Sequence, residues 1–272
     1  QNNSVLNTLN GGNKMTKTIF FDVDTQNDFM NSNGALYVPD AERIKWDLEL
    51  LTRHACFYRI PVFGSADRHF GTPEYKEREG ELAKYGGPFP EHCMDGTPGQ
   101  LKIGSTQFIG TKDDESEVIP GFITNPLKNQ KPTLRYYSPQ GKILEVEFED
   151  SNLEKILEEF GKNAKVEDSE EHWRFTTPGI FFEKQSYDVT TNPYFDKVME
   201  AVKPEVAVVY GVATDYCVKA AVKGLVKHVK EIYVVTDAIK GITPKGVKET
   251  FKEFEDLGVK FLTTKEVLGG AI

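Results

Sequence analysis

Val206-Ala207-Val208-Val209-Tyr210-Gly211-Val212-Ala213-Thr214-Asp215-Tyr216-Cys217-Val218 sets an apolar run, a turn of small residues and a helix-like segment reaching His228 in direct succession. A short apolar run ending at a glycine reads as a buried strand. The turn then delivers Cys217 to the start of a helix. There the first unpaired N–H groups and the positive end of the macrodipole favour thiolate over thiol. A buried cysteine is more often a small core residue, so chemistry at Cys217 depends on what the rest of the chain brings to it.

Working outward, the same alternation recurs. Thr18–Asp24, Pro61–Ala66, Gly179–Glu183, 205–210, Ile232–Thr236 and Val259–Leu262 are short apolar runs, and residues 40–58, 193–202, 215–228 and 244–257 carry helical periodicity. Strands alternating with helices predict an α/β fold of three layers, α/β/α, around a mostly parallel sheet of about six strands. The stretch at about 105–178 breaks the rhythm. It holds a hairpin candidate, Thr133–Tyr137 and Lys142–Phe148 about the turn Ser138-Pro139-Gln140-Gly141, then an acidic amphipathic helix with Leu153, Ile156, Leu157 and Phe160 on its apolar side. It reads as an inserted hairpin/helix subdomain within a domain spanning 15–272, and as a decoration without catalytic residues. Residues 1–14 are polar and without periodicity and read as a disordered arm or expression remnant.

Composition narrows the function. With 39% hydrophobic and 28% charged residues in 272, the chain reads as an ordinary globular protein. A net charge of -9 argues against nucleic acid as a partner. No apolar run approaches the ~20 residues that span a bilayer, and no signal peptide is visible, so a cytoplasmic setting without membrane contact is expected. The 3 cysteines form neither a disulfide framework nor a paired zinc motif. Cys56 reads as core and Cys93 as a packing residue.

In α/β sheets, sites form beyond the C-terminal ends of the strands. Four such ends carry reactive side chains: Asp22-Val23-Asp24-Thr25-Gln26-Asn27-Asp28-Phe29; Asp67-Arg68-His69, with His92-Cys93 further on; Glu183-Lys184; and the turn to Cys217. An acid, a lysine and a cysteine from separate strands make a nucleophilic site, with the carboxylate as base and the lysine favouring thiolate. Asp67, His69 and His92 make a partial metal site of carboxylate and imidazole. A rival reading takes Asp22-Val23-Asp24-Thr25 as the DxDxT motif of haloacid-dehalogenase-like phosphatases, with Asp22 as nucleophile. It lacks the late acidic motif of that class and leaves Cys217 and both histidines idle.

Together these segments resemble the isochorismatase-like cysteine hydrolases, and among them the nicotinamidases. The resemblance runs through Asp24–Phe29, Asp67–His69, Phe89-Pro90-Glu91-His92-Cys93 with Gly96-Thr97-Pro98-Gly99, Glu183-Lys184 and Gly211–Val218. It implies a catalytic triad, with Asp24 as general base, Lys184 between acid and cysteine, and Cys217 attacking an amide carbonyl to form a thioester. It further implies an oxyanion hole from the backbone N–H groups of Ala213 and Cys217 after a non-proline cis bond at Val212–Ala213. Asp67, His69 and His92 would hold a divalent metal, zinc first with iron or manganese as alternatives, that meets the substrate's ring nitrogen. Phe29 and Phe89 would pack on the ring. The expected substrate is nicotinamide or a related small amide, hydrolysed to the acid and ammonia in NAD salvage, and the expected assembly is a homo-oligomer.

The chain departs from the family twice. A further ligand is expected between His69 and His92, where no histidine stands. Glu74 is the candidate by position, with Glu77, Glu79 or a water as alternatives. The insertion also leaves the substrate open, including a carbamoyl or ureido amide. Asp28 is expected to make structural hydrogen bonds, and Thr214 and Asp215 to cap the helix that Cys217 enters.

Overall fold

A computed structural model describes residues 18–107, 110–111, 118–119, 133–138, 143–147, 153–163 and 177–272. The arm at 1–14, the hairpin turn at 139–142 and most of the expected insertion lie outside the described residues.

The strands of the main sheet are β1 (Thr18–Val23), β2 (Val62–Asp67), β3 (Thr133–Tyr137), β4 (Ile143–Glu147), β5 (Gly179–Lys184), β6 (Val206–Val212), β7 (Glu231–Lys240) and β8 (Lys260–Leu262); Gly110–Thr111 and Val118–Ile119 form a small pair of their own. The longer helices are α1 (Lys45–Phe57), α2 (Leu153–Asn163), α3 (Phe195–Val202), α4 (Lys219–Leu225) and α5 (Pro244–Asp256). One sheet of 8 strands runs in the order β8-β7-β6-β1-β2-β5-β3-β4. The six strands read from the sequence form the parallel part, and β3 and β4 add to its β5 edge antiparallel. The hairpin expected within the insertion pairs with the main sheet and enlarges it from about six strands to eight. The reason lies in its side chains: Leu134 and Tyr136 on β3 are fully buried, so that strand can rest only against another buried strand.

Two apolar layers cover the sheet. On one face Ile19, Phe21, Phe63, Ile180 and Phe182 meet α3 and α4; on the other Phe20, Val62, Phe181, Val208 and Tyr210 meet α1. Helix α2 joins the first layer, its Phe160 ring 5.5 Å from that of Phe63. The apolar side read from Ile156, Leu157 and Phe160 is thus core of the whole domain. Among the described residues no helix is long and apolar enough to cross a membrane.

The parallel strands place the site. β6, β1, β2 and β5 are neighbours in the middle of the sheet, so Cys217, Asp24, Asp67 and Lys184 all follow or end adjacent parallel strands at their carboxyl ends. Gly211 lets β6 lie close to β1: a side chain there would put its Cβ 2.1 Å from the Val23 carbonyl oxygen, and its φ of 117° lies where only glycine is at ease. The β6–β7 register shifts at the same point.

Candidate active site and metal centre

Asp24 stands one residue beyond β1 with φ 49°, in the left-handed region, and is fully buried. Its Oδ1 accepts a hydrogen bond from Ser65 Oγ at 2.7 Å, and its Oδ2 lies 2.8 Å from Lys184 Nζ. Lys184, the last residue of β5, also contacts Asp67 Oδ1 and sits 3.7 Å from Cys217 Sγ. Cys217 lies in a wide turn, Thr214–Val218, in which the Ala213 carbonyl accepts from both Tyr216 N (3.0 Å) and Val218 N (3.1 Å). The peptide bond Val212–Ala213 is cis. The structure thus brings Asp24, Lys184 and Cys217 together, with Ala213 beside them.

The electrostatics differ from the simplest expectation. Burial pushes the Cys217 thiol well above the ordinary range, and Asp24 and Asp67 add to this against the pull of Lys184. The helix start alone therefore does not hold a thiolate. Instead burial favours the thiol at Cys217, with Lys184 and Asp24 as its charged neighbours. Burial also raises Asp24, offset by Lys184 and reinforced by Asp67, which makes it a better proton acceptor than a solvated carboxylate. Lys184 stays cationic: burial opposes its charge, but Asp24 and Asp67 lift it well above the usual lysine range.

Asp67 also faces a second cluster. Asp67, His69, Glu81 and His92 each offer a ligand atom, all within 4.8 Å of one another. His92 Nε2 is 3.6 Å from Asp67 Oδ2 and 3.7 Å from Glu81 Oε1; His69 Nε2 is 3.2 Å from Glu81 Oε1. Burial acts to raise Asp67, yet Lys184 and the two histidines hold it well below the usual range, so it is an anion there. Burial disfavours charge on His69, but Glu79 and Glu81 lift it to about 9. Both ring nitrogens of His69 are buried without a hydrogen bond of good geometry. Two imidazoles and two carboxylates converging with such atoms suit a divalent cation of the zinc, iron or manganese type.

Glu74 is not the fourth member. It is exposed on a short 3-10 turn, Pro73–Tyr75, and Glu77 is exposed as well. Glu79 is buried but is held by the backbone N–H groups of Phe70 and Gly71, with its Oε1 3.7 Å from His69 Nδ1. The carboxylate of the cluster is Glu81, which the sequence reading passed over. No spacing rule singles it out among Glu74, Glu77, Glu79 and Glu81; the turn at 79–89 aims it. That turn is pinned by Tyr187 N, which donates to Glu81 Oε2 at 2.7 Å. Gln26 was also missed. Its side chain donates to the carbonyls of Asp67 (2.7 Å) and Gln100 (2.6 Å) and accepts from Asp67 N at 2.7 Å, so it fixes the strand end that joins the two clusters.

Phe29 and Phe89 line a small cavity with Asp67, Glu81, His92, Ala213 and Cys217. The Phe29 ring lies 5.4 Å from that of His92, and the Phe89 ring 5.4 Å from that of Tyr216. Asp28 is structural, accepting from Ala35 N (3.1 Å) and Cys93 N (2.7 Å). Cys56 and Cys93 are buried. Asp215 does not cap its own helix: it accepts from Ile242 N (2.8 Å) and Thr243 N (3.1 Å), tying the loop before α5 to the Cys217 turn. Asp22 is not a nucleophile in waiting. It is buried, held by Thr25 Oγ1 (2.8 Å) and Lys102 Nζ (2.8 Å), and does not line the cavity.

Residues 149–266 match the family model described as the isochorismatase domain. The fold is isochorismatase-like. Solved structures share it across almost the whole chain. The pyrazinamidase of Pyrococcus horikoshii in complex with zinc is 20% identical, with 91% of this chain and 99% of that one covered and a TM-score of 0.57. The PnC1 protein from L. infantum in complex with nicotinate is 16% identical, covering 92% and 94%, with a TM-score of 0.57. N-carbamoylsarcosine amidase from Thermoplasma acidophilum is 17% identical, covering 91% and 96%, with a TM-score of 0.51. No curated protein sequence matches. The haloacid-dehalogenase reading is set aside by the fold.

Proposed function

We propose that this isochorismatase-like chain is a metal-assisted cysteine amidohydrolase of the nicotinamidase type, converting nicotinamide or a related small amide to the acid and ammonia. The observation that carries the reading is Asp67, which touches Lys184 on one side and faces His92 on the other. It joins a cysteine–lysine–carboxylate group to a metal-ligand set on one cavity. A ureido amide offers no ring nitrogen for a metal, so the second cluster favours an aromatic ring that has one.

Asp24 accepts the thiol proton from Cys217 as sulfur attacks the amide carbon. Lys184, between both acids and 3.7 Å from Sγ, stabilises the sulfur anion and keeps Asp24 in place. The N–H groups of Ala213 and Cys217 receive the developing oxyanion. Asp24 then returns the proton to departing ammonia, leaving a thioester that water hydrolyses with Asp24 again as base. Asp67, His69, Glu81 and His92 would hold the divalent ion, which supplies a Lewis acid for the ring nitrogen. Phe29 and Phe89 would flank the ring.

Ammonia release across nicotinamide, pyrazinamide and ureido substrates tests the reading, with and without chelator. Turnover of the ring amides, lost on chelation and restored by zinc, is expected, and Cys217→Ala should abolish it. Chelator-insensitive turnover, ureido substrates alone, or an active Cys217→Ala would overturn it.

A further inference from the structure

We infer that the edge hairpin β3/β4 positions the candidate metal cluster through Arg135, and so is part of the working site. The inference rests on the metal-assisted reading above. Arg68 stands between the cluster members Asp67 and His69 and is wholly buried. Its Nε is 3.0 Å from Asp95 Oδ1 and its Nη1 is 2.9 Å from Glu183 Oε2. Asp95 N in turn donates to the His69 carbonyl at 2.7 Å, three residues after His92. Arg68 therefore ties the two histidine-bearing loops to β5, next to Lys184.

Glu183 does not face Arg68 alone. Its other oxygen is 3.3 Å from Arg135 Nε on β3, and Arg135 Nη2 reaches Glu145 Oε1 on β4 at 2.7 Å. Asp95, Arg68, Glu183, Arg135 and Glu145 form a row of alternating charges from the metal loops to the hairpin. Its three middle members are at most 3% exposed. A buried carboxylate between two guanidinium groups is balanced by both; with one removed it must turn toward the other or admit water. Each of those releases the Arg68 fork, and with it the spacing between His69 and His92. Arg135 is thus a positioning residue, and the geometry that it holds lies on loops beyond another strand.

The sign of the effect separates positioning from a simple field. Removing a positive charge would, by Coulomb attraction alone, tighten a bound cation. Loss of alignment weakens it, typically by about 10–100-fold for groups that orient metal ligands.

The test is a titration of metal-stripped full-length protein with Co(II) and, by competition, Zn(II). The expected order of affinity is wild type, then Arg135→Lys, then Arg135→Met, with the last weaker by about tenfold or more. Lysine keeps the charge but cannot hold Glu183 and Glu145 with one planar fork. Leu134→Ala, buried on the same strand but outside the row, should lower Tm and leave affinity at the wild-type value. If Arg135→Met does not fold, Arg135→Lys decides: an affinity equal to wild type overturns the inference. So does an Arg135→Met that binds as tightly or more tightly, or a Leu134→Ala that binds as weakly. A wild type that takes neither ion overturns the metal-assisted reading and this inference with it. A weakened Arg135→Met in a protein that hydrolyses no amide leaves the inference standing and removes only the activity.

Discussion

Two aspartate–lysine pairs lie two residues apart at the end of β1, and only one of them is suited to chemistry. Asp22 and Lys102 are 2.8 Å apart and Asp24 and Lys184 are 2.8 Å apart, and all four side chains are buried. Around Asp22 every charge is answered. Thr25 donates to it, Thr25 meets Thr106 at 2.7 Å, and Lys102 Nζ rests 4.9 Å from the centre of the Phe181 ring. Around Lys184 there are two carboxylates and a thiol for one ammonium, and a cavity beyond them. A buried ion pair is therefore no sign of a site. The sign is an imbalance, acid in excess of base beside a nucleophile and open to a ligand.

The sharpest way to break this comparison is to remove each acid in turn. Asp24→Asn should lower kcat by about 10²–10⁴-fold, as loss of a general base does. Its cost in stability should be small, since Lys184 keeps Asp67 as partner. Asp22→Asn strands the Lys102 charge in the interior and should cost about 3–5 kcal/mol. Molecules of that variant that remain folded should turn over at a rate close to wild type. Denaturant midpoints and kcat per folded molecule read both quantities. If Asp22→Asn were the more damaging to kcat, the division between the two pairs would be wrong.

The same contrast explains what was legible in the sequence. Asp24, Lys184 and Cys217 could be found because each follows an apolar run, and strand ends in a parallel sheet converge by topology. The six parallel strands were legible for the same reason. The hairpin at Thr133–Tyr137 could be seen as a hairpin, but its place on the β5 edge could not: antiparallel pairing leaves no mark beyond alternation, and nothing local to Arg135 points to Glu183, 3.3 Å away on another strand. Glu81 was hidden by its surroundings. Four glutamates within eight residues look alike in sequence, and the turn that aims one of them at the histidines is set by contacts with Tyr187 and Phe89, far away or on the other arm of the loop.

Glu81 and Glu74 sharpen the comparison on the metal side. Glu81→Gln keeps the shape and removes a charged ligand atom, and should weaken Zn(II) binding by about 10–100-fold, on the scale seen when groups that serve a metal are altered. Glu74→Gln, exposed and outside the cluster, should bind as wild type. Metal content after dialysis against a graded chelator would distinguish them. Equal losses in both variants would mean that a net-charge effect, and not a ligand, had been removed.

The smallest expected effect concerns pH. In the proposed mechanism Asp24 must be ionised to take the thiol proton, so activity should fall as pH drops through its pKa. Burial raises that pKa, with Asp67 adding to it and Lys184 opposing, so the acid limb of kcat/KM should stand above the ordinary aspartate value of about 3.9. Ser65 Oγ donates to Asp24 Oδ1 at 2.7 Å and so favours the carboxylate over the acid. Ser65→Ala should therefore move the acid limb to higher pH. Thr25→Ala removes the matching donor from Asp22, 2.8 Å away, and should leave the limb where it is while lowering Tm. A limb that moves with Thr25 and stays with Ser65 would assign the titrating base to Asp22 and reverse the roles of the two pairs.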